Sequence, residues 1–149
     1  RNPSDSYQLL FTARLYEFLY HLCRSYSYRI PSAALTGSQR DLQRVTHIMN
    51  WVKLHYPEPL SLETAADSLA LSKEYFCRLF KKYTGQTFLE YLNDVRTMHL
   101  YEDLQNSDET ITVLMEKNGL SNYKIFMRTF KKLYGSTPQK MRSNRIRHV

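Results

Sequence analysis

Two short basic segments of this chain carry the side chains best suited to bind another molecule. In each segment an arginine is followed, three residues later, by a pair of lysines: Arg78 precedes Lys81 and Lys82, and Arg128 precedes a second pair at 131 and 132. A guanidinium presents a rigid fork of N–H donors, whereas an ammonium is a compact point charge on a flexible stem. Both kinds of side chain at one spacing could bind an anionic partner through charge-assisted hydrogen bonds.

The two segments belong to a longer internal repeat, which covers residues 76–87 and 126–137. Seven of the twelve aligned pairs are identical, whereas chance would give about one. The identical pairs are Phe76/Phe126, Arg78/Arg128, Phe80/Phe130, Lys81/Lys131, Lys82/Lys132, Gly85/Gly135 and Thr87/Thr137. A duplicated structural unit is therefore predicted.

Each copy divides into an apolar and a polar face at helical spacing, which predicts a helix with one side in a core. The predicted inward residues are Phe76, Leu79, Phe80 and Tyr83 in the first copy and Phe126, Phe130 and Leu133 in the second. The predicted outward residues are Lys73, Glu74, Cys77, Arg78 and Lys81, and then Tyr123, Lys124, Met127, Arg128 and Lys131. The outward sets share an arginine and a lysine but otherwise differ.

The elements that would hold these helices follow from capping residues and apolar periodicity. A helix is predicted over 41–56, with Leu42, Val45, Ile48, Met49, Val52 and Tyr56 inward. Ser61 and Ser72 are predicted N-caps, Gly85 a C-cap, and Asn122 and Gly135 their second-copy counterparts. Helix-turn-helix units are expected at about 61–83 and 110–134. A connecting helix at about 88–106 would have Leu89, Leu92, Val95, Met98 (or His99) and Leu104 inward, and a final helix would start near Pro138. The predicted fold is all-α.

The N-terminal part has a different pattern. Residues 4–28 predict an amphipathic helix with a partner-helix seam at Phe11, Leu15, Phe18 and Leu22, and residues 29–40 predict a linker. The remaining domain would then cover 41–149. Because the chain begins at Arg1 without an initiator methionine, we interpret it as part of a longer protein.

The net charge of +7 is distributed unevenly. Residues 1–111 contain 12 Lys/Arg and 13 Asp/Glu, whereas residues 112–149 contain 9 and 1. A field of one sign over a quarter of the chain indicates an anionic partner. The alternative is a basic tail that only keeps the protein in solution, although acidic residues serve that purpose better.

Composition excludes several function classes. The mean hydropathy is −0.53 and no apolar run approaches the length of a membrane span, so no membrane role is expected. Cys23 and Cys77 are isolated, which predicts a reduced, cytoplasmic protein and no metal site. The five histidines are scattered, and no carboxylate pair, phosphate loop or nucleophile–base set is present. We therefore expect no catalytic residues and no cofactor.

Nucleic acid fits the basic repeat best. An arginine can bond O6 and N7 of guanine in the major groove, which makes Arg78 and Arg128 the leading candidates for base contact. The lysines at 81, 82, 131 and 132 lie further along each helix and are suited to phosphates. Alternatives stay open: Arg78 could pair with Glu74, Lys82 and Lys132 could be merely solvated, and Tyr123 could pack on its own helix.

Residues 41–142, about two-thirds of the chain, resemble the DNA-binding domain of the AraC/XylS transcription regulators. The most specific part is Gly119-Leu-Ser-Asn-Tyr-Lys-Ile-Phe-Met-Arg-Thr-Phe-Lys-Lys-Leu-Tyr-Gly-Ser-Thr-Pro138, followed by Arg142. It is similar to the family signature G-F-x-[DN]-x-x-x-F-x-[RK]-x-F-K-x-x-x-G-x-[ST]-P. Arg96 also matches a family position. Two departures are Leu120, where the family usually has Phe, and Met115, where it has a small Ala.

The resemblance implies two recognition helices that enter successive major-groove segments on one face of double-stranded promoter DNA. The implied base-reading residues are Glu74, Cys77, Arg78, Tyr123, Lys124, Met127 and Arg128. The expected phosphate contacts are Lys73, Lys81, Lys82, Lys131, Lys132, Lys140 and Arg142. The resemblance also implies that residues 1–28 end a sensor and dimerisation domain, with a homodimer contact through 4–28.

The predicted function is therefore that of a sequence-specific bacterial transcription regulator, with RNA polymerase as a further expected partner. An activator is one expected form of it, and the sequence leaves activation and repression open. Its predicted location is the cytoplasm, in association with the nucleoid. Two other classes compete with this prediction. An enzyme would need a reactive constellation of residues, and a protein-interaction module would use the basic face on an acidic protein. A salt titration separates DNA binding from the latter by its steep slope and sequence preference.

Overall fold

The computed structural model describes residues 14–15 and 37–146, with side chains to residue 143. Seven helices follow one another in residues 37–146, and this part of the chain contains no strand. They are α1 Gly37–His55, α2 Leu62–Asp67, α3 Lys73–Thr84, α4 Phe88–Asn106, α5 Ile111–Lys117, α6 Tyr123–Tyr134 and α7 Pro138–Ile146. The all-α prediction is confirmed, and so are two helix-turn-helix units joined by a long helix.

The predicted linker is four residues too long, because α1 begins at Gly37. Tyr83 of α3 holds this first turn: its hydroxyl donates to the Ser38 carbonyl at 3.1 Å and lies 3.2 Å from the Ser38 hydroxyl. Gly37 and Ser38 favour a break between helices, and their spacing in the sequence does not reveal a contact with Tyr83, which lies 45 residues away from Ser38. Residues 14 and 15 are helical, and the rest of the predicted helix at 4–28 lies outside the described residues.

Local capping defines both ends of the two basic helices. The Ser72 hydroxyl accepts a hydrogen bond from the Tyr75 amide, and the Asn122 side chain accepts one from the Ile125 amide. Gly85 and Gly135 end α3 and α6 in the left-handed region, with φ of 77° and 68°. Such caps satisfy amides and carbonyls that have no partner within the helix. These predictions are confirmed.

The buried side chains form two separate cores. The first contains Val45, Ile48, Val52, Ala65, Ala66, Phe76, Leu79, Phe80, Phe88, Tyr91, Leu92 and Val95. The second contains Leu100, Leu104, Leu114, Met115, Leu120, Phe126 and Phe130. Among the helices of residues 37–146, α4 alone contributes to both sets, its N-terminal half to the first and its C-terminal half to the second. It is therefore the scaffold on which both units are built.

Three residues predicted to face inward are exposed instead: Leu42, Leu89 and Leu133. Of the alternatives Met98 and His99, Met98 is exposed and His99 is partly buried. In α4 the buried positions are 88, 91, 92, 95, 97, 100 and 104, so the inward face differs in its two halves. A single apolar stripe, as assumed from the sequence, cannot describe a helix that packs against a different core at each end. In α6 the partly buried Tyr134 packs on the second core, and Leu133 lies outside the stripe.

The two departures from the family pattern lie next to each other. Met115 and Leu120 are both buried in the second core, and the Leu120 amide donates to the Met115 carbonyl at 2.8 Å. A larger side chain beside a smaller one conserves volume, which cores tolerate better than a net change.

None of the described helices is long and apolar enough to cross a lipid bilayer.

Candidate nucleic-acid interface

Helix α3 presents a continuous polar face to solvent. Phe76, Leu79 and Phe80 are buried in the first core, which fixes the rotation of the helix. The opposite side exposes all six of its predicted contact residues: Lys73, Glu74, Cys77, Arg78, Lys81 and Lys82. Ser72 caps the helix, so its amides point toward the same end as the first outward residues. That end is the one a helix-turn-helix protein inserts into the major groove.

Helix α6 repeats this arrangement in the second unit. Phe126, Thr129 and Phe130 are buried, and the outward side exposes Tyr123, Lys124, Arg128, Lys131 and Lys132. Met127 differs from its prediction as an outward residue, because it is partly buried and packs against the second core. Tyr123 lies edge-on to Phe126, with ring centroids 6.3 Å apart, yet half of it remains exposed. It therefore packs on its own helix and still faces solvent.

Neither Arg78 nor Arg128 is engaged in an ion pair within the described residues, so the alternative pairing of Arg78 with Glu74 is not formed. Both guanidinium groups are exposed and keep their N–H donors available to a partner. Arg128 also lines a shallow groove between α4 and α6, with Glu90 and Asp94 on its opposite wall.

Three of the predicted phosphate-binding lysines already have partners within the protein. Lys73 pairs with Glu63 of α2, and Lys132 donates to both carboxylate oxygens of Asp94 on α4 at 3.2 and 3.4 Å. The Lys82 ammonium lies 5.4 Å from the centroid of the Tyr83 ring. These lysines are therefore not merely solvated, although all three stay exposed. Pairs of this kind contribute little on their own, so a phosphate could displace them.

Local electrostatics follow these contacts. The hydrogen bond from Lys73 lowers the pKa of Glu63, and the same bond raises the pKa of Lys73. The pKa of Glu90 is lowered first by hydrogen bonds from Thr87, in the capping box of α4, and then by the charges of Lys132 and Lys81. Glu90 thus lies within the field of a lysine from each basic helix. The space between the two helices is not uniformly positive.

Arg142 does not fit its predicted role as a phosphate contact. Its Nε and Nη2 atoms are buried and have no hydrogen-bond partner. A guanidinium with two of its three nitrogens buried is not presented to a DNA backbone in this conformation. Lys140, predicted for the same role, is exposed on α7.

Sequence reasoning missed the acidic partners and the role of Arg96. Glu63 and Asp94 pair with residues 10 and 38 positions away in sequence, so no helical spacing rule links them. Arg96 matched a family position without a stated contact, and the structure shows it donating to two backbone carbonyls. Burial lowers the pKa of its guanidinium. In the described residues no group of His, Cys, Asp and Glu is placed to hold a metal ion.

The geometry of two capped basic helices on a shared scaffold agrees with two comparisons. A family described as a helix-turn-helix domain matches residues 65–144, more than half of the chain. A solved transcriptional regulator from Chromobacterium violaceum, described as having an AraC-type DNA-binding domain, superposes with a TM-score of 0.58 at 28% identity. The match covers 73% of this chain and 95% of that one. The chain belongs to the AraC-type helix-turn-helix family.

Two relatives match more than two-thirds of this chain in sequence. The transcriptional activator RhaS of Escherichia fergusonii is 30% identical over 114 residues, which is 76% of this chain and 41% of RhaS. An uncharacterised helix-turn-helix transcriptional regulator of Staphylococcus aureus is 33% identical over 102 residues, 68% of this chain and 14% of the relative. The chain thus spans less than half the length of both relatives. Both relatives are named as transcriptional regulators, the class of protein predicted from the sequence.

Proposed function

We propose that this chain binds double-stranded DNA in a sequence-specific manner, through α3 and α6 in two successive major-groove segments, and thereby regulates transcription. The observation that carries the proposal is the pair of outward faces described above. Each has a capped N-terminus, an unpaired exposed arginine and exposed lysines. Neither an enzyme nor a protein that binds acidic proteins needs two such faces with the same spacing of arginine and lysines.

The dimensions of the scaffold suit this mode of binding. Helix α4 has 19 residues and therefore spans roughly 28 Å. Major-groove segments on one face of DNA recur about every 34 Å. With its flanking turns, α4 is long enough to bring one recognition helix to each segment. A bound site of about two helical turns follows, with two unlike halves, because the outward residues of α3 and α6 differ.

Within each outward face, we assign each side chain to a base or to a phosphate by its position along the helix. Arg78 and Arg128 are the proposed guanine readers, and the other base-reading candidates are Glu74, Cys77, Tyr123, Lys124 and, with less exposure, Met127. The free lysines at 81, 131 and 140 are the proposed phosphate contacts, whereas those at 73, 82 and 132 would first leave their present partners. Phosphate contacts fix the register, and base contacts provide the specificity.

Regulation of a bacterial promoter is the biological role we propose for this binding. RhaS is named as an activator, and activation would add a contact with RNA polymerase. A homodimer through residues 4–28 and a nucleoid location would accompany the same role. The polymerase contact, the homodimer and the location are proposals for a whole regulator, and the two relatives described above are more than twice as long as the part that this chain matches.

Selection from a random DNA pool, followed by a salt titration, tests the proposal. We expect the chain to enrich an asymmetric site of about two helical turns. Its log Kd should rise with log salt at a slope of several units, since each DNA phosphate that the protein neutralises contributes about 0.9 to the slope. Equal affinity for the enriched and scrambled duplexes would contradict sequence-specific reading. Tight binding to an acidic peptide, without enrichment of any DNA, would instead favour the protein-interaction module.

A further inference from the structure

No apolar side chain of residues 96–99, in the middle of α4, belongs to either core, although Thr97 is buried there. Phe88, Tyr91, Leu92 and Val95 pack in the first core, and the second begins at Leu100. Residues 96–99 therefore lie where one unit ends and the other begins. Apolar packing fixes each unit to its own half of the helix, and it leaves the orientation of one unit relative to the other to other contacts.

An open cleft lies beside this middle segment. It has a volume of about 870 Å³ and is lined by Leu60 and its neighbours from the first unit and by Met115 and Tyr123 from the second. Contacts at the floor of the cleft join the two units here, in addition to α4 itself and the pair between Lys132 and Asp94.

Arg96 supplies the first of those contacts. Its Nε donates to the Tyr56 carbonyl and its Nη2 to the Glu58 carbonyl, both at 2.7 Å. The Tyr56 ring also stacks on His99, with centroids 4.0 Å apart and planes within 7°. Hydrogen bonds from a charged donor are stronger than neutral ones. The loop between α1 and α2 is thereby fixed to the centre of α4.

Gly119 brings the second unit onto the same loop. A Cβ at this position would lie 2.6 Å from the Pro57 carbonyl oxygen and 3.1 Å from Arg96 Nε. Its φ is +73°, in the region that favours glycine. The turn before α6 therefore touches the first unit at a distance that no side chain permits. We call Tyr56, Pro57, Glu58, Arg96 and Gly119 the joint.

We propose that the joint, together with α4, fixes the angle and separation of α3 and α6, so that Arg96 and Gly119 determine the number of base pairs tolerated between the two halves of the DNA site. Both are positioning residues, since neither lies on an outward face. This inference rests on the proposed two-helix reading of DNA. It adds that residues outside the DNA-binding faces of α3 and α6 determine the preferred spacing.

The test uses the full chain and DNA that this chain has selected from a random pool. Affinity is measured on the selected duplex, on duplexes with one base pair added or removed between the halves, and on each half alone. We expect the wild-type protein to prefer one spacing by about tenfold or more. Arg96→Met should lose roughly tenfold on that spacing, the effect of one or two hydrogen bonds to a charged group, and should bind all spacings similarly. Its affinity for single halves should be unchanged.

Gly119 offers a second variant with a matched control. Gly119→Ala should displace the turn from Pro57 and shift or broaden the spacing preference. Gly135→Ala places a methyl group at a similar φ of +68° but in open space. It should therefore show the backbone strain alone, with a lower melting temperature and the wild-type spacing profile.

The outcomes separate the joint from the proposed function. If Arg96→Met and Gly119→Ala melt earlier but keep the wild-type spacing profile, the joint only stabilises the fold and the proposal is wrong. Arg96→Lys keeps the charge but loses the two-pronged geometry, and an intermediate profile would support the proposal. A wild-type protein that enriches no two-part site would overturn the proposed function, and the joint with it.

Discussion

The two helix-turn-helix units share a scaffold and differ in the charge around their outward helices. Each has a buried phenylalanine pair, a cap before the basic helix and a left-handed glycine after it. However, the first turn of α3 carries Glu74 and that of α6 carries no acidic residue. Lys73 is also paired with Glu63, and residues 112–149 contain a single acidic residue.

This difference in charge suggests that the two recognition helices contribute differently to DNA binding. The two copies share the buried phenylalanines, the outward arginine and the two lysines, and they differ at the other outward positions. The second unit has the stronger positive field, which attracts phosphates regardless of sequence. In the first unit Glu74 could accept a hydrogen bond from cytosine N4 and would repel a wrongly placed phosphate. We infer that the second unit contributes more affinity and the first unit more discrimination.

The largest expected effect concerns the shared scaffold. Phe80→Ala and Phe130→Ala should each lower the free energy of unfolding by roughly 3–5 kcal/mol, because both rings are fully buried. Phe80 lies within 6 Å of three aromatic rings in the first core, and Phe130 occupies the equivalent place in the second. Urea denaturation measures the loss. Cys77→Ala, on the exposed face of α3, is the control and should stay within about 0.5 kcal/mol.

The next effect compares the two arginines. Arg78→Ala and Arg128→Ala should each cost about 1–3 kcal/mol on the selected DNA site, and each should relax the preference at one base pair in its own half. The reason is that each can form a two-pronged contact with guanine. Binding to single-substituted duplexes shows which base pair is affected. An equal loss on random DNA would identify the arginine as a phosphate contact.

A smaller effect tests whether the two recognition helices contribute differently to DNA binding. Lys131→Ala should reduce the slope of log Kd against log salt by about one, because this lysine is free to contact a phosphate. Lys73→Ala should reduce it less, since that lysine is already neutralised by Glu63. Salt titrations of the two variants on the same duplex give the comparison. Equal reductions would mean that the Glu63 pair opens at no cost, and the proposed asymmetry would then fail for this position.

The smallest effect concerns Lys132. Asp94→Asn removes its partner and should increase affinity for random DNA by no more than a few fold, because an exposed ion pair contributes about 0–1 kcal/mol. Filter binding at low salt measures the change. Glu102→Gln, elsewhere on α4 and paired with His99, removes the same charge without removing the partner of Lys132 and serves as its control.

The sequence by itself determined the elements of this protein and the faces of its two basic helices. Caps such as Ser72 and Asn122, and stripes such as Phe76–Phe80, act within one or two helical turns, so their effects can be derived from spacing alone. The repeat then made the second unit predictable from the first. Even the connecting helix was placed at 88–106, where the structure has it.

The tertiary structure decided which sides of α4 pack, which residues at the edge of the apolar stripe of α6 are buried, and which charges are already paired. Leu89 and Met98 are apolar at plausible spacings, yet α4 meets a different core at each end and leaves both exposed. Lys132 meets Asp94, and Arg96 meets the carbonyls of Tyr56 and Glu58, across about forty residues of chain. Such contacts depend on how the helices are arranged in space, and helical periodicity carries no information about that arrangement.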